Sequence, residues 1–502
     1  MYRALPVERV IGFGKLMLKK AQIPLLVAAN LEKGGNGIVD EGTLVGSHME
    51  IAATGDVSMV EKMAIVCAEE GKAVGANWAF APIVDIDYNF RNPITNTRTF
   101  GSNPERVRQM GLSYIKAVQS RGMASTIKHF PGDGIDERDQ HLVTSVNTLS
   151  CEEWETTYGS IYSACIDAGV MTCMVGHIML PSWTKRLNPN IDDKDILPCS
   201  LSEELMVGLL RERLGFNGLI VTDAATMAGY TMAMSRKNAV PLSIAAGADM
   251  FLFTRNLEED YEFMLDGVQN GVITQARLNE AVTRILALKA ALGLHKNLTP
   301  PSIDKAMSIV GCARYRQWAK ECADKAITLV KEQKGVLPIS PERYKTILFH
   351  SIESSGGFFD VKEVCHKVAE RLIELGFDVD IFKPSQGMEG GTDKTTKVIG
   401  VYDLILYVAN IATKSNQTTV RIEWAHPMGA NCGHYINDIP TIFVSLENPY
   451  HLLDFPRAKT FINCYSSNDD VIDSLIEKLM GKSAFKGVSP VDPFCGKWDA
   501  TL

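Results

Sequence analysis

A carboxylate two residues ahead of a histidine, Asp139 and His141, is the outline of a proton-transfer device. The carboxylate can orient the imidazole and raise its basicity, and an acid/base catalyst needs both. The pair closes the stretch from Thr126 to His141. Counting Lys128 as the first position, it falls at the twelfth and fourteenth. Lys128 and His129 follow the apolar run Met123 to Ile127 and are hydrogen-bond donors at its end. Asp223 follows Leu219-Ile-Val-Thr222 directly, with the small Ala224-Ala leaving its carboxylate room to reach a ligand. Arg98 lies in a polar loop, and His177 ends the run Met171 to Gly176. Donors converging on one mouth suit a ligand dense in hydroxyls or carrying a carbonyl. Each group also has a plainer reading. Asp223 can cap a helix, Arg98 can close a loop salt bridge, and His129 can be a satisfied core histidine. Trp183, six residues after His177, can stack on a sugar ring or simply pack its loop. Asp133, Asp136, Asp139, His129 and His141 share no recognised metal-ligand spacing, so no metal site is assigned.

Short apolar runs must carry these groups. Ile23–Ala29, Asn77–Val84, the run Met123–Ile127 that leads into Lys128 and His129, Met171–Gly176, Gly218–Thr222 and Asp249–Phe253 read as strands. Helical patterns lie between them, at 57–74, 103–121 (Ser102 or Asn103 at the N-cap, Pro104 at N1), 202–214 and 241–246. Polar residues follow every strand. An open doubly wound sheet gathers its ligand groups at one switch point, whereas a (β/α)8 barrel gathers them around one rim. The spread predicts a TIM-type barrel over 1–295, although six strands are read rather than eight. Helices are expected at 1–22, 257–270, 274–292 and 315–331, with Pro300-Pro301 in a linker spanning 296–340. A second α/β series follows over 341–502, with strands at 346–350, 378–382, 403–408, 441–446 and 460–465 and a helix at 361–375. It reads as a three-layer sandwich with a parallel sheet.

The chain has 502 residues, 46% of them hydrophobic and 22% charged, which is enough for more than one core. A net charge of −8 argues against nucleic acid or anionic membrane as partner. There is no run of eighteen apolar residues and no signal-peptide pattern at the start. The eleven cysteines include no CxxC pair and suggest reduced thiols. A cytoplasmic protein is expected.

Together the stretches resemble glycoside hydrolase family 3, in its β-N-acetylglucosaminidase branch. Lys128-His129-Phe130-Pro131-Gly132 with Asp139-Gln140-His141 resembles the Lys-His-Phe-Pro-Gly … Asp-Ser-His signature. Val221-Thr-Asp-Ala-Ala-Thr-Met227 resembles the nucleophile segment, Asn96-Thr-Arg-Thr-Phe100 the sugar-binding arginine segment, and 325–338 the linker to the second domain. The resemblance implies a retaining two-step exo-β-N-acetylglucosaminidase without a cofactor. Asp223 would form a covalent glycosyl-enzyme, and His141, held by Asp139, would be the acid/base. Arg98, Lys128, His129 and His177 would bind the sugar of an N-acetylglucosamine-containing glycan. Retaining enzymes usually pair two carboxylates. A histidine does not repel an anion, so phosphate could replace water. A β-glucosidase of the same family is a further variant. Readings of other classes are a degenerate sugar-binding protein and a metal-dependent hydrolase.

Three departures stand out. Relatives carry Asp-x-Glu-Gly-Gly-Arg after the first strand read here, where this chain has Asn30-Leu31-Glu32-Lys33-Gly34-Gly35-Asn36. Asn30 thus replaces a sugar-binding aspartate and accepts a hydroxyl more weakly. Asp133 and Ala224 stand where relatives often have histidine and aspartate. Relatives also have two strands before 23–29. Either the start is misplaced or the barrel is incomplete; an incomplete barrel would expose sheet edges, and if Met1 is the true start, poor stability or homo-oligomerisation is the expected consequence.

Overall fold

The computed structural model describes residues 4–296, 299–354, 364–383, 395–425 and 429–502. Two compact units partition the chain. The first comprises Met1–His48, Val57–Trp318 and Ser415–Thr418, and the second Met49–Asp56, Ala319–Lys414 and Thr419–Leu502.

Among the described residues the first unit has eight strands. They are β1 (Ala28–Ala29), β2 (Trp78–Ala79), β3 (Ala124–Phe130), β4 (Ser145–Val146), β5 (Thr172–Val175), β6 (Ile178–Met179), β7 (Leu219–Ala224) and β8 (Met250–Leu252). Six form one sheet in the order β1-β2-β3-β5-β7-β8, parallel throughout, while β4 and β6 pair separately. Parallel pairing puts all six C-terminal ends on one rim, as in a TIM-type barrel. One face of the sheet is apolar, with Trp78, Phe80, Ala124, Met174, Leu219 and Val221 packed against Leu288. The polar exception is satisfied internally: the Trp78 indole N–H donates to Thr126 Oγ1 and Thr172 Oγ1 at 2.8 and 2.9 Å.

Helices form where the apolar periodicity places them, at Val57–Ala73, Pro104–Gln119, Leu257–Gln269 and Gln275–Ala291. The Asn103 side chain caps the second of these, accepting from Arg106 N–H at 2.9 Å with Pro104 at N1. Two expectations for this unit need correction. Ile23–Ala29 is not a buried strand: only Ala28 and Ala29 join the ladder, and Ile23 is exposed. The segment leads into β1, which pairs with β2 alone, so its side chains meet protein on fewer sides. The short helix read at 241–246 extends back to Arg236 and holds Pro241 inside it.

The second unit contains β9 (Thr328–Lys331), β10 (Thr346–Glu353), β11 (Asp378–Ile381), β12 (Leu404–Asn410), β13 (Thr441–Ser445) and β14 (Thr460–Asn463). The order is β11-β10-β12-β13-β14-β9, parallel except for β9 on β14. Alternation along β12 serves two cores. Leu404, Leu406 and Val408 pack under the helices Val364–Glu374 and Asp469–Leu479. Ile405, Tyr407 and Ala409 pack with Phe443, Phe455 and Phe461 on the other face. This is the sandwich expected from the sequence. The helix anticipated over 315–331 stops at Ala326, and Thr328–Lys331 is a strand instead. The β-branched Ile327, Thr328 and Val330 favour extended backbone, and β14 supplies the partner row through Ile462↔Leu329. Residues 361–363 of the expected helix at 361–375 lie outside the described residues.

Candidate active site

Glu32, just past β1, is nearly buried and stands between two cations. Its Oε1 accepts from Lys128 Nζ at 2.8 Å and from Arg98 Nη2 at 3.0 Å, and its Oε2 accepts from Arg98 Nε at 3.2 Å. Burial alone would raise its pKa, but Arg98 and Lys128 outweigh that and hold it well below the usual carboxylate range. Arg98 comes from the loop after β2 and Lys128 from β3. One carboxylate therefore orients two donors that lie thirty residues apart.

The backbone of β3 delivers His129 next to Lys128, across a cis peptide bond. Its Nδ1 lies 2.7 Å from Asp85 Oδ2, and Asp85 Oδ1 accepts the His129 and Asp133 backbone N–H groups at 3.1 and 2.8 Å. Asp85 is buried at the end of the segment after β2. His129 Nε2 faces Asp223 Oδ2 at 3.7 Å. Asp223 is the penultimate residue of β7, where its Oδ1 accepts the Ala224 N–H at 2.7 Å. Burial would raise the Asp223 pKa. His129, His177 and His141, with the Ala224 N–H, more than offset it and hold the pKa at about 2. An ionised carboxylate facing the rim among histidines can act as a nucleophile or stabilise positive charge. A small recess is lined by Asp85, Arg98, His129 and Asp133.

The Asp139–His141 pair closes as the spacing suggests. Asp139 Oδ1 lies 2.6 Å from His141 Nδ1 and accepts the His141 N–H at 2.8 Å. Its Oδ2 accepts the N–H of Asn416, at 2.7 Å, from the short segment Ser415–Thr418. Burial raises the Asp139 pKa, while His141 and these backbone donors bring it below the ordinary value. With Nδ1 committed, Nε2 is the nitrogen of His141 left to exchange a proton with a ligand. The loop between His129 and His141 packs closely. Gly132 has φ +118°, and a Cβ there would lie 2.2 Å from Tyr158; Gly134 has φ +105°, with the Ile86 carbonyl 1.9 Å away. A side chain at either position would force the loop off its support.

Arg98, Lys128, His129, Asp223, Asp139 and His141 all stand at this rim. His177 and Asn30 stand differently. His177 is fully buried, with Nδ1 2.8 Å from Ser200 Oγ and Nε2 3.1 Å from the Ala224 carbonyl. A carbonyl only accepts, so Nε2 carries the hydrogen and both ring nitrogens are used within the protein. Burial lowers the His177 pKa, with Asp223 opposing in part. Asn30 is exposed, and the acidic partner of Arg98 and Lys128 is Glu32, two residues on. Trp183 is not at a pocket mouth. It is buried against Trp154 at 5.9 Å, beneath the guanidinium groups of Arg186 and Arg213. Glu32, Asp85 and Gln140 also stand here, without being singled out by the sequence, and Asp133, noted there as a departure from relatives, stands with them. Glu32 lay within the quoted Asn30–Asn36 segment and Asp85 at a strand's polar end, so position was the available signal for both.

Comparison with known proteins places this geometry in context. Residues 12–288 match the family described as "Glycosyl hydrolase family 3 N terminal domain". A protein of Cellulomonas fimi described as a β-N-acetylglucosaminidase/β-glucosidase is 53% identical over 485 residues, covering 96% of this chain and 86% of that one. The solved structure of a β-glucoside phosphorylase, BglX, superposes with a TM-score of 0.95 at 46% identity, covering 100% of this chain and 90% of the other. A family 3 β-N-acetylglucosaminidase from Paenibacillus sp. shares the fold, with a TM-score of 0.81 at 24% identity and coverage of 98% and 91%.

Proposed function

Because this chain belongs to glycoside hydrolase family 3, we propose that it is a retaining exo-acting enzyme on terminal β-linked N-acetylglucosamine. The observation that carries the reading is Asp223, kept ionised on a rim that also presents His141. Asp223 attacks the anomeric carbon while His141, protonated on Nε2, gives its proton to the departing oxygen. That step leaves a glycosyl-enzyme and a neutral imidazole. The imidazole then takes a proton from the acceptor, and the acceptor's attack frees Asp223. Lys128, Arg98 and His129 hold the sugar hydroxyls, with Glu32 and Asp85 setting their directions. His177 supports the Ala224 carbonyl beside the nucleophile rather than the sugar. β-Linked glucose is the competing sugar, as the description of the Cellulomonas relative suggests.

A second reading concerns the acceptor. A carboxylate base would repel phosphate, whereas the His141 imidazole carries no negative charge. The 46% identity to a β-glucoside phosphorylase favours testing phosphate in place of water. The experiment is a panel of aryl β-N-acetylglucosaminides, β-glucosides and β-xylosides, each with and without phosphate, for the wild type and Asp223→Ala. Turnover of the N-acetylglucosaminide that the variant loses supports the reading, and a sugar 1-phosphate product identifies the acceptor. Turnover by Asp223→Ala equal to that of the wild type would sink the nucleophile assignment.

A further inference from the structure

Gln140 separates the two members of the acid/base pair and is itself 1% exposed. Both ends of its amide are engaged. Nε2 donates to Asp133 Oδ2 at 3.1 Å, and Oε1 accepts the backbone N–H of His177 at 2.9 Å. Each partner belongs to a different part of the site. Asp133 is buried, its Oδ1 accepting from Gly134 N–H at 2.7 Å and Asn92 Nδ2 at 3.2 Å. Its own N–H goes to Asp85, the carboxylate that orients His129. His177 holds the carbonyl of Ala224, the residue after Asp223. The Gln140 amide thus joins the loop carrying Asp139 and His141 to the frame of His129 and to the strand end bearing Asp223.

The backbone around Gln140 is held as well. The His141 carbonyl accepts the Ala228 N–H at 2.9 Å. The Gln140 carbonyl lies so near Gly229 that a Cβ there would sit 2.3 Å from it. Removing the amide would leave the His177 N–H and one Asp133 oxygen unpaired in a closed space, which costs more than the bonds themselves contribute. The loop would then shift to reach other partners, and it would carry His141 with it.

We propose that Gln140 is a positioning residue whose amide fixes the Asp139–His141 pair relative to Asp223, so that the acid/base is assembled before a glycoside binds. The proposal rests on His141 being the acid/base. The pair is fixed by bonds to the site's own frame.

The test compares glycosides whose leaving groups differ in basicity. A dinitrophenolate departs with little proton assistance, whereas a phenolate or alkoxide needs the general acid. For Gln140→Ala, kcat/KM on the phenyl glycoside is expected to fall about 100-fold, the scale of a displacement of about 1 Å. On the dinitrophenyl glycoside the first step, followed by pre-steady-state release, should change by less than about 3-fold. Gln140→Met, equal in length and without hydrogen-bonding groups, carries the same test if the alanine variant does not fold. His141→Ala is measured alongside. If it shows the leaving-group dependence and the Gln140 variants lose both substrates equally or neither, the proposal is overturned and the acid/base reading stands. If His141→Ala shows no such dependence, the acid/base reading falls and the proposal falls with it.

Discussion

Replacing Glu32 by Gln keeps the side chain's shape and removes its charge from between Lys128 and Arg98. At an effective dielectric constant of about 20, a unit charge pair at the 2.8 Å Lys128–Glu32 separation attracts by about 6 kcal/mol. Most of that gain is offset by the cost of taking the ions out of water. What remains when one partner is lost is the penalty of unpaired buried cations, about 3–5 kcal/mol. At about 2–4 °C per kcal/mol for a domain of this size, Glu32→Gln should lower the first unit's melting temperature by roughly 10 °C. The pH dependence follows from the lowered Glu32 pKa. The stabilisation is complete above the unfolded carboxylate's pKa of about 4.3 and is lost only as pH falls through the lower folded value. The gap between wild type and variant should therefore be constant from pH 6 to 8 and close in stronger acid. Thermal melts across pH, with a double-mutant cycle using Lys128→Met, provide the assay. A coupling below about 0.5 kcal/mol, or a variant melting with the wild type at pH 7, would refute the reasoning.

Three other outcomes are expected. Asp85→Asn offers His129 a neutral partner in place of a carboxylate and so weakens the hold on its ring; kcat/KM should drop by about 10-fold or more with little change in secondary structure by circular dichroism. Asp223, with a pKa near 2, stays ionised through mild acid. The acid limb of the kcat/KM profile should therefore not report its protonation above about pH 3, and an acid limb that Asp223→Glu displaces would contradict this. Asn416 has φ +67° and gives its N–H to Asp139. Asn416→Gly keeps both features and should behave as wild type, whereas Asn416→Pro removes the donor and should reduce turnover by about 10-fold, measured on a phenyl glycoside.

The residues legible in the sequence were those whose chemistry shows in their own neighbourhood. Asp139 and His141 are two apart, so their bond is nearly intraresidue in reach. Asp223, Lys128 and His129 end apolar runs, where a parallel sheet must present them on its rim. Residues whose role lies in a distant partner were not legible. Glu32 meets Lys128 across 96 residues and Asp85 meets His129 across 44. For Trp183 the sequence leaves stacking and packing open, because six residues after a strand end places a side chain in sequence but not in depth; its burial against Trp154 decides for packing. The local pattern at Thr328–Lys331 continues that of a helix, because its extended state is supported by β14, more than a hundred residues away.

The amino-acid sequence by itself determined the parallel α/β plan, the second α/β unit and the principal chemical groups, because apolar periodicity and strand-end polarity are local properties. The tertiary structure alone decided how those groups are yoked. The sheet order β1-β2-β3-β5-β7-β8 sets Glu32 beside Lys128, His129 opposite Asp223, and Gln140 between Asp133 and His177. A buried charge or amide is tolerable only beside a partner, and which partner it has depends on strand order and loop packing, which residue spacing does not encode.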